Sequence, residues 1–242
     1  AHKGKIKIVD EIITINSHYI PYEMADENEE IVNCSDEIGN TPLHLAAVND
    51  HKDVVELLLE NGANVVIVDK DQSAIDNTIK SFTKNIHPDK ILGLKCDITN
   101  EVKIKETIKI VLEVFGEINI LVNNAASKTK NLDDFFEKFE KYKLSVWNEV
   151  MSVNIDSMFL MSKLVGKQMS LQNKGGSIIQ VSSIYGLIAP DQRIYINSEY
   201  EGKEINTPAV YSVSKSAVIG LSKYLASYWG KKNIRVNTLI PG

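Results

Sequence analysis

The sequence predicts an α/β chain, a mostly parallel sheet with helices on both faces, preceded by a helical hairpin. Three observations point to it. Short apolar runs such as Asn64 to Val68 (NVVIV), Ile118 to Val122 (INILV) and Ser177 to Val181 (SIIQV) read as buried strands; a strand open to water on one face would alternate apolar and polar residues. Helix-length segments separate these runs, as crossovers between parallel strands require. Ahead of them, two short apolar helices are joined through Asn49-Asp50.

Residues 1–35 form a strand-and-linker segment. Gly4 to Ile15 (GKIKIVDEIITI) carries β-branched residues in partial alternation, enough for one or two strands. Tyr22 to Glu30 brings five acidic residues with no interleaved histidine, which reads as a solvated connection rather than a metal site. The hairpin follows over residues 36–63. Gly39-Asn40 is a turn, Thr41 an N-cap and Pro42 the first helical residue. Leu43 to Val48 makes the first helix and Lys52 to Glu60 the second, with Gly62 in the C-cap position.

From residue 64 to 242 strands and helices alternate. Asn64 to Val68 ends at Asp69, and Ser73 to Phe82 follows as a helix. Ile91 to Cys96 is the second strand, ending at Asp97. Glu101 to Phe115 is an amphipathic helix before the INILV strand. Leu132 to Tyr142 and Val146 to Ser170 have helical periodicity. After Ser177 to Val181 come a long helix, Tyr211 to Trp229, and a last strand, Ile234 to Leu239.

Composition narrows the classes of function. With 43% hydrophobic and 24% charged residues the chain is neither disordered nor collagen-like. A net charge of -5 offers no electrostatic footprint for nucleic acid. No apolar run approaches the ~18 residues of a membrane helix, and no signal-peptide core is present. Cys34 and Cys96 alone cannot build a disulfide scaffold or a four-cysteine zinc site. The expectation is a cytoplasmic chain without metal. Of 13 glycines only Gly175 and Gly176 lie within three positions of each other, so no GxGxxG or GxxxxGK loop exists to cradle a phosphate.

One pair stands out chemically. Tyr211 and Lys215 are four residues apart and share a helix face. A lysine ammonium beside a phenol favours the phenolate. Ser183, just past the fourth strand, places a hydroxyl where a substrate oxygen can be bound. Alone, a Tyr-x-x-x-Lys pair is also an ordinary surface feature of helices.

Two resemblances add to this reading. Asp36, Gly39, Thr41-Pro42-Leu43-His44, Ala46-Ala47, His51, Val54-Val55, Leu57 to Leu59 and Gly62-Ala63 resemble an ankyrin repeat, with Asp50 where a glycine is usual. A single repeat cannot bury its own apolar face. No second copy is visible in the preceding residues. From about residue 56 to residue 242 the chain resembles the short-chain dehydrogenase/reductase family. The matching segments are Asn123-Asn124-Ala125-Ala126, Asn154 in Val153-Asn154-Ile155, Ser182-Ser183-Ile184-Tyr185-Gly186, Tyr211 to Lys215, and Ile234 to Asn237 followed by Pro241-Gly242. Ala126 replaces the motif glycine.

The second resemblance implies a Rossmann-like fold, NAD rather than NADP, and hydride transfer between the nicotinamide and an alcohol or carbonyl group. Tyr211 would be the general acid/base and Ser183 would orient the substrate oxygen. Lys215 would support Tyr211 and hold the nicotinamide ribose, and Asn154 would anchor a relay water, its alternative being a helix-kink or packing residue. Cofactor contacts would come from Asp69, Asp97, Ile98, Asn123, Ala125, Tyr211, Lys215, Pro241 and Gly242. Asp69, ending its strand, would accept the ribose hydroxyls and repel a 2'-phosphate.

The family's TGxxxGxG turn is absent, and the ankyrin-like segment stands in its place, with LLLENGANVVIVDKD satisfying both patterns. Glu30 to Asn33 would have to supply the first strand, and the family continues past the equivalent of Gly242. Ser183 and Tyr211 lie 28 positions apart, wider than the family spacing. That insertion and Ala126 resemble oxidoreductases of bacterial surface-sugar or flagellin-glycan synthesis, implying a sugar or nucleotide-sugar substrate. Arg193 and Lys203 are either contacts for an anionic substrate or solvent-facing loop charges. Expected partners are a small molecule, a second copy of the chain, and a protein partner of the ankyrin-like segment, but not nucleic acid or membrane. The competing reading is a non-catalytic interaction protein or an inactive mosaic.

Overall fold

The protein was analysed as a computed structural model, which describes residue 59, residues 62–82 and residues 87–241. The expected segment 1–35, the hairpin helices apart from Leu59, and Gly242 lie outside the described residues. The chain divides into two compact units, Ala1–Cys96 and Asp97–Gly242, a division that falls inside the 64–242 segment.

In the first unit, β1 (Val65–Asp69) and β2 (Ile91–Lys95) pair in parallel, Val65 opposite Ile91 and Asp69 opposite Lys95. The connecting helix α1 (Gln72–Ser81) is capped by Asp71, whose carboxylate accepts from Ser73 N at 2.8 Å and so satisfies an otherwise orphaned helix donor. Ile75 of α1 is buried against Gly93 of β2, where any side chain would overlap Ile75 and Ile79. The glycine therefore sets how closely helix and strand approach.

The second unit runs through α2 (Glu101–Phe115), β3 (Ile120–Asn123), α3 (Leu132–Phe135), α4 (Leu144–Met151), α5 (Ser157–Gln172) and β4 (Gly176–Val181). A small antiparallel hairpin, β5 (Glu199–Tyr200) and β6 (Lys203–Glu204), precedes α6 (Ala209–Trp229) and β7 (Ile234–Leu239). β4 lies between β3 and β7, parallel to both. Successive strand side chains point to opposite faces, and Ile178 and Ile179 of β4 are both wholly buried. Both faces of this sheet are therefore covered. Val165 and Met169 of α5, and Leu225 and Trp229 of α6, pack with Leu121, Ile178, Ile234 and Val236 in one apolar core.

Beyond shifts of one or two residues at other element ends, three departures from the sequence expectation matter. β3 starts at Ile120 rather than Ile118, because the Gln172 side chain takes both backbone groups of Ile118, accepting from its N at 3.0 Å and donating to its O at 2.8 Å. The helix expected over Leu132 to Tyr142 is broken into α3 and a 3-10 turn, Phe139–Lys141. Asn206 Nδ2 donates to the Phe136 carbonyl at 2.6 Å, taking the acceptor a continuing helix would use, and Lys138 is extended. The helix expected over Val146 to Ser170 is interrupted by a π turn, Ser152–Asp156, between α4 and α5. The wider turn shifts the helical register and leaves Asn154 wholly buried.

The segment between β4 and α6 holds two 3-10 turns, Ile184–Gly186 and Gln192–Tyr195, and the β5–β6 hairpin. The hairpin closes through Glu201 and Gly202, both at positive φ, the pair of conformations a two-residue type I′ turn requires. Lys128 lies 4.1 Å over the Tyr200 ring, and Phe136 meets Tyr200 edge-on at 6.5 Å, so the hairpin packs on the segment after β3. Among the described residues no helix is long and apolar enough to cross a membrane.

Gly166 of α5 faces the indole of Trp229, which a methyl group there would overlap. Trp229 is buried and has little room to yield. Gly166→Ala is expected to destabilise the chain by about 1–3 kcal/mol through overpacking, read as a lower urea midpoint with an unchanged slope.

Candidate active site

The site is built where α6 meets the end of β4. Lys215, on the buried face of α6, is 3% exposed. Its Nζ donates to the Val181 carbonyl at 2.9 Å, and its own carbonyl accepts from Ser182 Oγ at 2.7 Å. These two bonds, one from each partner, fix the helix against the strand end. Tyr211 lies one turn earlier, with Lys215 Nζ 5.8 Å from its ring centroid. Burial lowers the Lys215 pKa from 10.5 to about 8, since an ammonium out of water loses hydration that one carbonyl does not replace.

The doubled serine is resolved by its partners. Ser182 spends its hydroxyl on Lys215, whereas Ser183 caps the following 3-10 turn, where Tyr185 N approaches its Oγ at a long 3.3 Å. Ser183 thus keeps its hydroxyl proton for another acceptor. Gly186 closes this turn directly against the Lys215 backbone. A Cβ there would stand 2.8 Å from the Lys215 carbonyl carbon and oxygen. Ser216 Oγ donates to the Gly186 carbonyl at 2.8 Å and secures the same contact.

Asn154 joins this cluster from the π turn. Its Oδ1 accepts from Ser127 N at 2.9 Å, and its Nδ2 donates to Ser214 Oγ at 3.1 Å, which in turn donates to the Tyr211 carbonyl at 2.8 Å. Asn154 therefore links the loop after β3 to the turn of α6 that carries Tyr211. Asn123 is placed differently. Its Nδ2 donates to Gln180 Oε1 at 2.9 Å and to Ser162 Oγ at 3.1 Å, while Gln180 Nε2 donates to Ser162 Oγ at 2.7 Å. This closed polar triangle commits the Asn123 side chain to the interior.

The other expected residues lie at strand ends. Ala125 is exposed in the loop after β3, and the Pro241 carbonyl, past β7, accepts from Ile184 N at 2.9 Å. Asp97 accepts from Thr99 N at 3.0 Å and Thr99 Oγ1 at 2.7 Å, with Ile98 half-buried in the same turn. In the first unit, Asp69 ends β1 exposed, its Oδ1 accepting from Asp71 N at 2.8 Å. Gly242 lies outside the described residues. Arg193 is bound to Asp191, Nε at 2.9 Å and Nη2 at 2.6 Å, and is a solvent-facing loop charge. Lys203 lies in β6. No cluster of three metal-ligating side chains occurs among the described residues.

Sequence reasoning did not single out Ser127, and it read Ser182, Tyr185, Gly186 and Ser214 only as members of matching segments, without the contacts they make here. Tyr185 Oη accepts from Tyr195 Oη at 3.0 Å. Only the doubled Ser182-Ser183 held a readable signal that one hydroxyl would be structural.

Comparison with known proteins gives two family matches that overlap over residues 52–69 and do not part at the boundary between the two compact units. Residues 52–242 match the family model described as Enoyl-(Acyl carrier protein) reductase, and residues 1–69 match a model of three ankyrin repeats. The second match begins upstream of the 36–63 repeat expected from sequence. An NAD-dependent glycerol dehydrogenase from Listeria innocua is 29% identical over 81% of this chain and 66% of its own. A short chain dehydrogenase from Leptospira borgpetersenii, solved with bound NAD+, is 30% identical with a TM-score of 0.64, covering 79% of this chain and 66% of that one. The NAD+-bound structure of a xylitol dehydrogenase is 26% identical with a TM-score of 0.65, over 81% and 67%. The chain spans between about half and two thirds of the length of the curated relatives it matches.

The buried lysine makes stability depend on pH in a defined direction. Unfolded, Lys215 holds its proton up to about pH 10.5; folded, it releases it near pH 8. Between those values the unfolded chain binds more protons, so stability rises with pH across that window. Lys215→Met is expected to remove this contribution. Thermal melts of the variant should show a shallower upward slope than the parent chain between pH 8 and 10.5, whereas parallel profiles would exclude a lowered Lys215 pKa.

Proposed function

The chain belongs to the short-chain dehydrogenase/reductase family, and on that premise we propose that it is an NAD-dependent oxidoreductase acting on an alcohol or carbonyl group. The observation that carries this reading is the buried Lys215 ammonium beside Tyr211. Of its three N–H groups, one donates to Val181, and the other two have no acceptor among the described residues. Two unpaired donors on a buried cation fit the adjacent hydroxyls of a ribose. NAD, when bound, supplies the hydride acceptor or donor, which no side chain can be.

The protein groups hold and move a proton. The Tyr211 hydroxyl takes the proton of the substrate alcohol, or gives one to the carbonyl oxygen in the reverse direction. Lys215, cationic below about pH 8, favours the phenolate on Tyr211 during that transfer. The Ser183 hydroxyl orients the reacting oxygen, and we assign Asn154 a positioning role through Ser214. In the first unit, Asp69 Oδ2 accepts nothing from the described residues, and we assign it to the adenosine ribose, where its charge disfavours a 2'-phosphate.

For the substrate we propose a small polyol or sugar. Relatives named for glycerol and xylitol support this reading, and the polar segment between Ser183 and Tyr211 supports it independently. A cytoplasmic setting fits a chain with two cysteines and no disulfide framework. The ankyrin-repeat match over residues 1–69 supports a protein partner for that segment.

NADH titrated into the purified chain should give a saturable change in nicotinamide fluorescence. Asp69→Ala should weaken it about tenfold, on the scale of a hydrogen bond to a charged group. Tyr211→Phe should lower kcat by roughly 10²–10⁴, the usual contribution of an acid–base group. Absence of saturation at millimolar NADH would defeat the reading.

A further inference from the structure

Three hydroxyl groups tie the segment between β4 and α6 to the turn that bears Ser183. Thr207 Oγ1 donates to Tyr195 Oη at 2.6 Å, and Tyr195 Oη donates to Tyr185 Oη at 3.0 Å. Directed this way, the two bonds use the protons of Thr207 and Tyr195, and the third proton of the row, on Tyr185, is left to donate outward. Thr207 is buried at 9% exposure, and its Oγ1 has no partner other than Tyr195 among the described residues. Reversing the row would strand the Thr207 proton in the interior, at the cost of an unmade buried hydrogen bond. The outward donor is therefore Tyr185.

Tyr185 is held where such a donor meets substrate. It is half-buried, two residues from Ser183 in the same 3-10 turn, and its neighbour Gly186 is pressed against the Lys215 backbone. Tyr195 itself is anchored from outside the turn: the adjoining backbone of Thr207 is gripped by Gln192, whose Nε2 donates to the Thr207 carbonyl at 2.9 Å.

We propose that the Tyr185 hydroxyl is a specificity-determining donor, binding a second oxygen of the substrate on the carbon next to the reacting C–O group, and that Tyr195 and Thr207 are the positioning residues that aim it. The inference deepens the oxidoreductase reading and rests on it. It selects vicinal diols and polyols over simple alcohols, since a substrate lacking the second oxygen leaves the phenol without an acceptor. The insertion then serves recognition through one half-buried row of hydroxyls.

The test compares 2,3-butanediol with 2-butanol as substrates of the full chain with NAD. The diol-to-monoalcohol ratio of kcat/KM should fall about tenfold in Tyr185→Phe and by a smaller factor in Tyr195→Phe, on the scale of one hydrogen bond. A second readout needs no turnover. In the NADH-loaded chain the diol should raise Tm more than the monoalcohol does, and Tyr185→Phe should abolish that difference. An unchanged ratio in Tyr185→Phe, or equal losses for both alcohols, overturns the proposal by showing a role in the turn alone. Failure of the diol to bind or react while NADH binds overturns it and leaves the oxidoreductase reading standing. Failure of NADH to bind removes both.

Discussion

The arrangement of the second unit depends on burying one ammonium group. Lys215 lies almost wholly inside, donating to the Val181 carbonyl and accepting from Ser182 through its own carbonyl. A charge taken out of water costs free energy unless it is well paired, and here one neutral carbonyl is its only protein acceptor among the described residues. The same two bonds fix both the height and the rotation of α6 against β4. Once they are made, Tyr211 one turn earlier and Ser183 one residue beyond the strand end have little freedom of placement. An incompletely satisfied cation is a poor stabiliser and a good receptor, which is the sense in which stability is given up at functional sites.

The close approach behind that clamp comes from what is missing. Gly186 lies against the Lys215 backbone, where a β-carbon would push the 3-10 turn off the helix. Because Ser183 and Tyr185 ride on this turn, the absence of one side chain sets the distance between the serine hydroxyl and the helix face. Gly166 does the same for α5 and the Trp229 indole. The proposed catalytic face and the apolar core are thus set by two contacts of one kind, and both fall on α6.

Much of this was legible in the sequence, and the exceptions share a cause. Glu101–Phe115 and Ile234–Leu239 have the boundaries that their periodicity dictates, because local pattern and tertiary packing agree there. Tyr211 and Lys215 were legible through helix geometry alone. Leu132 to Tyr142 was misleading, since its apolar spacing suits a helix but Asn206, from a distant segment, captures the Phe136 carbonyl. The π turn at Asn154 leaves no mark on a 3.6-residue period read across it. Ser182 and Ser183 are chemically alike, and only the Lys215 carbonyl tells them apart. Long-range hydrogen bonds distinguish the first and last of these cases, and residue spacing carries no record of them.

The wide interval between Ser183 and Tyr211 acquires a physical meaning from the same bonds. Its far end is fixed because Asn206 holds Phe136, Gln192 grips Thr207 on both backbone groups, and Thr207 bonds Tyr195. A loop secured at several points loses little further entropy when substrate arrives, so its contacts go into selection rather than ordering. The reactive groups come from a strand end and a helix whose register the buried lysine dictates. The phenol proposed to discriminate, Tyr185, is held by a segment fastened to those elements by hydroxyls and amides. On the proposed reading, a change in the segment retunes the substrate while the geometry of Tyr211 and Ser183, fixed by α6 and β4, stays in place.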